Sequence, residues 1–186
     1  LATVLGREHG RDFNPESEMM KILRHEPGHE HGLKNVKIYG EPWDLGPNGY
    51  QIGRLAKRPG NTGTGIAEWD GKARDVLKTA ALDPEVELPR SDIIERMAGS
   101  GDIYPDGPQS HVIKVASHDG STLRDSVTYK QKRNRDNGED NSDGNDGLAN
   151  WGQEGDTDNP AFKANRERAQ RFAIALLAVS QGVPMM

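Results

Sequence analysis

Two acidic residues stand directly after short, β-prone apolar segments of the chain. Glu41 follows residues 36–40, and Asp119 follows residues 112–116 together with His118. In α/β barrels, polar residues at the carboxyl ends of strands are the usual catalytic positions. A Glu and an Asp that converge there suit glycoside hydrolysis, in which one carboxyl group protonates the leaving oxygen and another assists at the anomeric carbon. The alternative is that both acids cap the following helices or pair with a nearby Arg.

Two segments have spacings typical of metal sites. His25-Glu26-Pro27-Gly28-His29 matches the HExxH pattern of zinc proteases, but Pro and Gly in its centre should break the helix that this chemistry needs. Residues 139–144 resemble the start of a calcium loop, but the twelfth position is Asn150 where Glu is required. We therefore expect polar loops at both places, no metal site and no cofactor.

Composition excludes several further classes of protein. The 186 residues include 24 Lys and Arg against 29 Asp and Glu, a net charge of −5, which disfavours nucleic acid as a partner. No apolar run approaches the ~20 residues of a membrane span, so no membrane partner is expected. The chain contains no Cys, which excludes disulfides and thiolate chemistry. With 22 Gly and 11 Pro, the chain is expected to be globular and rich in loops.

Hydrophobic periodicity predicts helices and strands in the order helix, strand, strand, helix, helix, strand, helix, strand. The predicted helices begin at an Asn14 cap, span residues 71–82, begin at a Ser91 cap and span residues 161–180, and the predicted strands are 36–40, 66–69, 112–116 and 183–186. A further helical stretch is predicted around 122–132. Strands separated by helices indicate an α/β fold with a parallel sheet.

The side chains expected to face inward follow from the same spacing. In the helix that Ser91 would cap, these are Ile93, Ile94 and Met97. In the helix over 161–180 the apolar stripe is Phe172, Leu176 and Val179. The chain also lacks an initiator Met and ends within an apolar run, so we expect it to be an internal piece of a longer protein.

Four separated segments, residues 37–53, 67–75, 117–134 and 167–186, resemble the alpha-amylase superfamily, and more closely the bacterial glycogen debranching enzymes of isoamylase type. The most specific part is the string EPWD–GP–GYQ–G beginning at Glu41. The resemblance covers nearly the whole chain and is weakest at 83–108.

This resemblance implies an architecture. Residues 36–40, 66–69, 112–117 and 183–186 would be strands five, six, seven and eight of a (β/α)8 TIM-type barrel. Residues 1–186 would then be the second half of a catalytic barrel domain, a fragment of a larger enzyme, with long loops at 42–65 and 133–160.

The resemblance also implies roles for individual residues. Glu41 would be the general acid/base, Asp119 would stabilise the transition state, and His118 would bind the same sugar. The nucleophilic Asp would lie one residue before Leu1, so the fragment alone is expected to be inactive. Trp43, Tyr50 and Trp69 are candidate platforms for glucose rings, with Asp44 beside them, although Trp69 could equally pack in the core.

The implied activity is retaining hydrolysis of α-1,6 branch linkages, with glycogen or limit dextrin as the branched α-glucan partner and a cytoplasmic location. The alternatives are a pullulanase, an amylase or a transglycosylase of the same superfamily, or a non-catalytic glucan-binding relative. Oligomeric state is left open. The chain departs from the usual pattern at six places, which affects branch recognition more than reaction class: Lys114, Ser121, Lys130, Arg133, residues 141–144 and a shortened loop near Trp151.

Overall fold

A four-stranded parallel sheet is the only sheet in the part of the chain that the computed structural model describes, namely residues 5–7, 12–24, 28, 36–44, 48–55, 66–118, 120–144, 146 and 149–186. Its strands are β1 (Tyr39–Gly40), β2 (Ala67–Trp69), β3 (His111–Ile113) and β4 (Val183–Pro184). They lie in the order β1-β2-β3-β4, which is also their order in the sequence. The predicted α/β class with a parallel sheet is confirmed.

The described residues also form four α-helices and three single turns of 3₁₀ helix. The helices are α1 (Glu18–Leu23), α2 (Gly71–Leu82), α3 (Arg90–Met97) and α4 (Pro160–Val179), and the 3₁₀ turns are Pro108–Ser110, Asp125–Val127 and Arg135–Asn137. The predicted order of helices and strands is confirmed. No helix in these ranges is long and apolar enough to cross a bilayer.

The chain divides into two compact units. The first contains Leu1–Gly71, Ala98–Ile113 and Gln181–Met185, and therefore all four strands. The second contains Lys72–Met97, Lys114–Ser180 and Met186.

The strands of the first unit are shorter than predicted, but backbone hydrogen bonds extend the pairing beyond their ends. Asp70 N donates to Val112 O and Met185 N donates to Ile113 O, both at 2.9 Å. The strand predicted over 112–116 is His111–Ile113 in the structure, and all three of its residues are buried. A cluster of apolar side chains packs in the same unit: Phe13, Met20, Leu55 and Ile66, with Leu23 and Ile38 against them.

The cap of α1 is Ser17, and the predicted Asn14 cap is wrong. Ser17 Oγ accepts from Met20 N at 3.4 Å. The Asn14 carboxamide oxygen instead accepts from Glu16 N at 2.9 Å, two residues on. This local turn uses the Asn14 side chain and moves the start of the helix by one turn.

Helix α2 has the predicted bounds, whereas the predicted inward face of α3, a helix of the second unit, is wrong in part. The helix begins at Arg90, so Ser91 lies inside it, and Ile94 is 64% exposed. Residues three and four apart share a helix face. The buried Arg96 therefore shares its face with Ile93, and Ile94 lies about 100° away from Ile93 on the helix.

Helix α4 is confirmed within one residue at each end, but its predicted stripe is wrong in two of three positions. Phe172 is 51% exposed and Val179 is 69% exposed. The buried residues are Arg166, Ala169, Ala173, Leu176 and Leu177. These positions also follow the helical period, and the small Ala side chains allow that face to pack closely.

The helix predicted around 122–132 is wrong, since only the 3₁₀ turn Asp125–Val127 forms there. Ser126 Oγ donates to Thr122 O at 3.0 Å and Thr128 Oγ1 donates to Arg124 O at 2.8 Å, and both carbonyls also accept from backbone N–H groups within the turn. Thr128 O accepts from Gly155 N at 3.0 Å. A carbonyl engaged outside the segment cannot continue the ladder, so the helix ends after one turn.

Candidate functional site

Glu41 is the first residue after β1 and is half-buried. The pairing of β1 with β2 aligns Gly40 with Glu68. One residue further along both strands, Glu41 is therefore level with Trp69. The carboxyl group follows the carboxyl end of a parallel strand, as the sequence predicted.

The segment after Glu41 folds back on itself. Asp44 N donates to Gly49 O at 3.0 Å, and Gln51 N donates to Pro42 O at 2.7 Å. These two bonds pair residues 42–44 with residues 49–51. Both ends of the EPWD–GYQ string are thereby held beside the end of β1.

The three predicted sugar platforms come together in the first unit. The rings of Trp43 and Tyr50 are stacked, with centroids 6.4 Å apart and planes 21° apart. The Trp43 and Trp69 rings are tilted by 46° with centroids 6.5 Å apart. Tyr50 is 55% exposed, and both Trp side chains are half-buried. We call Trp43, Tyr50 and Trp69 the aromatic cluster. It consists of two half-buried Trp rings and one exposed Tyr ring.

Asp44 has a defined partner within the fold. Its carboxylate accepts from Arg7 at 2.9 Å, and only 9% of the Asp44 side chain is exposed. The same guanidinium donates to Asn48 O at 3.2 Å. Asp44 and Arg7 therefore tie the folded-back segment to an earlier part of the chain.

The other predicted site residues lie elsewhere or outside the described ranges. His118 is exposed and belongs to the second unit. Asp119 lies outside the described residues, as do four of the five residues of the HExxH pattern. That Glu41 and Asp119 act on one sugar stays a prediction.

A buried polar cluster in the first unit was not predicted from the sequence. Glu68 Oε2 accepts from Gly53 N at 2.6 Å and from the Tyr104 hydroxyl at 3.2 Å. Asp70 accepts from Ser100 Oγ at 2.6 Å. The signal that could have revealed it is the alternation in Ala67-Glu68-Trp69-Asp70, where acids recur every second residue of a strand.

Within this cluster, the pKa of Tyr104 is clearly shifted. Burial raises the pKa of its phenol well above its usual range, and the carboxylates of Glu68 and Asp70 act in the same direction. The phenol therefore keeps its proton and remains a donor to Glu68. Its ring also lies against the His111 ring, with centroids 4.6 Å apart.

In the candidate calcium loop of the second unit, backbone carbonyls accept hydrogen bonds from a lysine. Lys132 Nζ donates to Ser142 O at 3.0 Å and to Gly144 O at 3.1 Å. Asn141 Oδ1 accepts from Asn134 N at 2.8 Å, and Asp143 Oδ2 accepts from Asn137 Nδ2 at 2.8 Å. Within the described ranges, no three His, Asp or Glu side chains group as metal ligands would.

The nearby departures from the usual pattern also have partners in this unit. Lys130 Nζ donates to Glu85 Oε2 at 2.9 Å. The Arg133 guanidinium lies over the Tyr129 ring, 4.1 Å from its centroid. These charged side chains therefore take part in structural contacts of the unit.

A buried arginine organises the loop before α4. The Arg166 guanidinium donates to Asn150 O at 2.7 Å and to Gly155 O at 2.8 Å, and it also donates to Gln153 O. Trp151 Nε1 donates to Leu82 O at 2.9 Å. An open cavity of about 270 Å³ lies beside this arginine, lined by Arg124, Thr128, Asp156, Thr157, Lys163, Arg166, Glu167 and Gln170.

Comparison with known proteins gives the class to which this arrangement is related. No protein-family model matches the chain. Over its whole length, however, the chain is similar to curated bacterial proteins named for glycogen metabolism. It is 36% identical over 197 residues to the glycogen operon protein GlgX homolog of Haemophilus influenzae and covers 28% of that protein.

Two further relatives agree with this. The GlgX homolog of Mycobacterium tuberculosis is 37% identical over 191 residues, and the chain covers 24% of it. The glycogen debranching enzyme of Klebsiella pneumoniae subsp. pneumoniae is 36% identical over 191 residues, and the chain covers 27% of it. The chain thus spans about a quarter of the length of the curated relatives it matches. The resemblance to bacterial glycogen debranching enzymes is confirmed over the entire chain.

Proposed function

We propose that the protein containing this chain is a glycoside hydrolase that cleaves α-1,6 branch linkages in glycogen or limit dextrin. The observation that carries the proposal is the match of the whole chain, at 36% identity, to a protein named glycogen debranching enzyme. The register that makes Glu41 level with Trp69, two residues before Trp43, supports it as well, because a carboxyl group and ring surfaces on which sugars can stack then follow neighbouring strands.

The proposed architecture is the second half of a (β/α)8 barrel. The sheet order β1-β2-β3-β4 follows the sequence without a reversal. A doubly wound sheet reverses its strand order at a switch point, whereas a barrel keeps winding in one direction with right-handed connections. The unbroken order therefore supports a barrel, and relatives about four times as long have room for its other strands.

In the proposed mechanism Glu41 first donates a proton to the bridging glycosidic oxygen. An Asp immediately before Leu1 would attack the anomeric carbon and form a covalent glycosyl-enzyme. Glu41 then takes a proton from the water that releases the sugar, so that configuration is retained. Asp119 would stabilise the oxocarbenium-like transition state, His118 would bind the same glucose unit, and the aromatic cluster would hold neighbouring rings.

The test is Glu41→Gln in the intact protein. Turnover of glycogen should fall by several orders of magnitude, because the amide cannot deliver the proton, while glucan binding should change little. Glu87→Gln is the matched control, since Glu87 is an exposed acid away from any strand end. Near-normal turnover in Glu41→Gln would rule out the assigned role.

Product analysis separates debranching from the other activities of the superfamily. Release of linear chains from glycogen without shortening of amylose is the expected result. Shortening of amylose would instead indicate an amylase, and transfer of chains to an acceptor would indicate a transglycosylase.

A further inference from the structure

Glu68 is a fully buried carboxylate on β2, and the proposed mechanism does not use it. Burying a carboxylate is costly unless donors compensate for the lost water. Two such donors are the Gly53 backbone N–H and the Tyr104 hydroxyl. Gly53 N lies closer to Glu68 Oε2 than the Tyr104 hydroxyl does, at 2.6 Å against 3.2 Å.

Gly53 cannot readily be replaced at this contact. Its φ is +77°, in the left-handed region that favours glycine. A Cβ at this position would lie 2.8 Å from Ile103 Cγ2. The backbone therefore approaches Glu68 in a way that a larger residue would disturb.

A continuous path of contacts leads from Glu68 to the aromatic cluster. Gly53 is two residues from Gln51, whose N–H donates to Pro42 O at 2.7 Å. Pro42 lies between Glu41 and Trp43, and Tyr50 precedes Gln51 and stacks on Trp43. A hydrogen bond that holds Gly53 in place therefore also restrains the segment that contains Tyr50 and Gln51.

We infer that Glu68 is a positioning residue that sets the geometry of the glucan-binding surface through its hydrogen bond to Gly53. This inference rests on the proposed function, since it assumes that the aromatic cluster binds glucan. The inferred role requires an acceptor oxygen at position 68 of β2. By accepting from Gly53 N, this oxygen would hold residues 48–53 in register with residues 42–44.

The experiment compares variants of the intact protein. Glu68→Leu removes the acceptor, and we expect it to weaken binding of a linear maltooligosaccharide at least ten-fold, measured by calorimetry. Glu68→Gln keeps an oxygen that can accept from both donors, and we expect its affinity to remain within three-fold of the original. Gly53→Ala displaces the donor and leaves Glu68 in place, so it should lose affinity as Glu68→Leu does.

Two controls separate positioning from general stability. Leu77→Ala removes a buried side chain of α2 and should lower stability without changing glucan affinity. Tyr104→Phe removes the hydroxyl donor and leaves Gly53 bound, so affinity should be kept. Unaltered affinity in both Glu68→Leu and Gly53→Ala, or an equal loss in Leu77→Ala, would overturn the inference.

Near-UV circular dichroism reports the aromatic cluster without requiring any ligand. We expect Glu68→Leu and Gly53→Ala to change the Trp and Tyr signal, and Leu77→Ala to leave it unchanged. If the unsubstituted protein binds no glucan, the proposed function fails. The near-UV spectra then still decide whether Glu68 positions the cluster, because unchanged spectra in both variants would refute that placement.

Discussion

The rings of Trp43 and Tyr50 stack 6.4 Å apart across a chain reversal, with Asp44 N bonded to Gly49 O between them in the sequence. The backbone pairing brings two side chains seven residues apart into one surface. Trp69 on β2 supports that surface from the neighbouring strand.

Removing either stacked ring should weaken glucan binding. Aromatic pairs contribute about 0.5–1.5 kcal/mol beyond their buried area. We expect Trp43→Ala and Tyr50→Ala each to raise the dissociation constant for a maltooligosaccharide roughly five- to thirty-fold, which corresponds to about 1–2 kcal/mol. Tyr39→Ala is the control, because Tyr39 is an exposed tyrosine outside the cluster. Equal effects of Tyr39→Ala and Tyr50→Ala in calorimetry would contradict the assignment.

Gly71→Ala should weaken binding without unfolding the protein. A Cβ at Gly71 would lie 3.1 Å from Trp43 Cζ3 and 3.4 Å from the Tyr50 hydroxyl, so Trp43 must shift by a few tenths of an ångström. Gly71 is the first residue of α2, where the higher helix propensity of alanine in a helix interior offsets little of this crowding. Thr79→Ala in the same helix raises helix propensity away from the ring contact and should leave affinity unchanged. Affinity and thermal unfolding of both variants check this expectation.

Arg166→Lys should be strongly destabilising although it keeps the charge. The guanidinium reaches three loop carbonyls from a side chain that is almost fully buried, and a lysine ammonium cannot reproduce that fork. We expect a loss of roughly 2–4 kcal/mol in the free energy of unfolding by urea. Arg168→Lys, on an exposed position of the same helix, should change it by less than about 0.5 kcal/mol.

The raised pKa of Tyr104 predicts that the protein loses stability at high pH. Folding raises the pKa of this phenol above its ordinary value of 10.0, so the unfolded chain releases the proton first. Its contribution is therefore fully present below about pH 10 and decreases as the pH rises further, with a slope that approaches about 1.4 kcal/mol per pH unit. Tyr104→Phe should lack this decrease. Parallel urea titrations at pH 9 and 11 would refute the assignment if both proteins lost the same stability.

Much of the fold followed from local sequence pattern. Helix α2 and the order of strands and helices were predictable because apolar spacing and glycine positions agree with the final packing. The cap at Asn14 and the helix around 122–132 were not. At Asn14 the side chain takes the Glu16 N–H in a local turn, and around 122–132 the outcome depends on the distant contact of Gly155 N with Thr128 O.

The candidate site also contains residues that the sequence predicted and residues that it did not. The sequence indicated Trp43 and Tyr50 as candidate platforms for glucose rings, and the structure brings the two rings into contact. The role of Glu68 was hidden, because it depends on Gly53 and Tyr104, which lie 15 and 36 residues away in the sequence. The convergence of Glu41 with Asp119 remains a prediction.

The Lys132 ammonium lies against two carbonyls of the candidate calcium loop, Ser142 O and Gly144 O. A free metal ion binds to such carbonyls only to the extent that its concentration allows, and a chelator can remove it. The Lys132 ammonium is tethered to the chain, so neither dilution nor a chelator removes it from the loop that contains Ser142 O and Gly144 O.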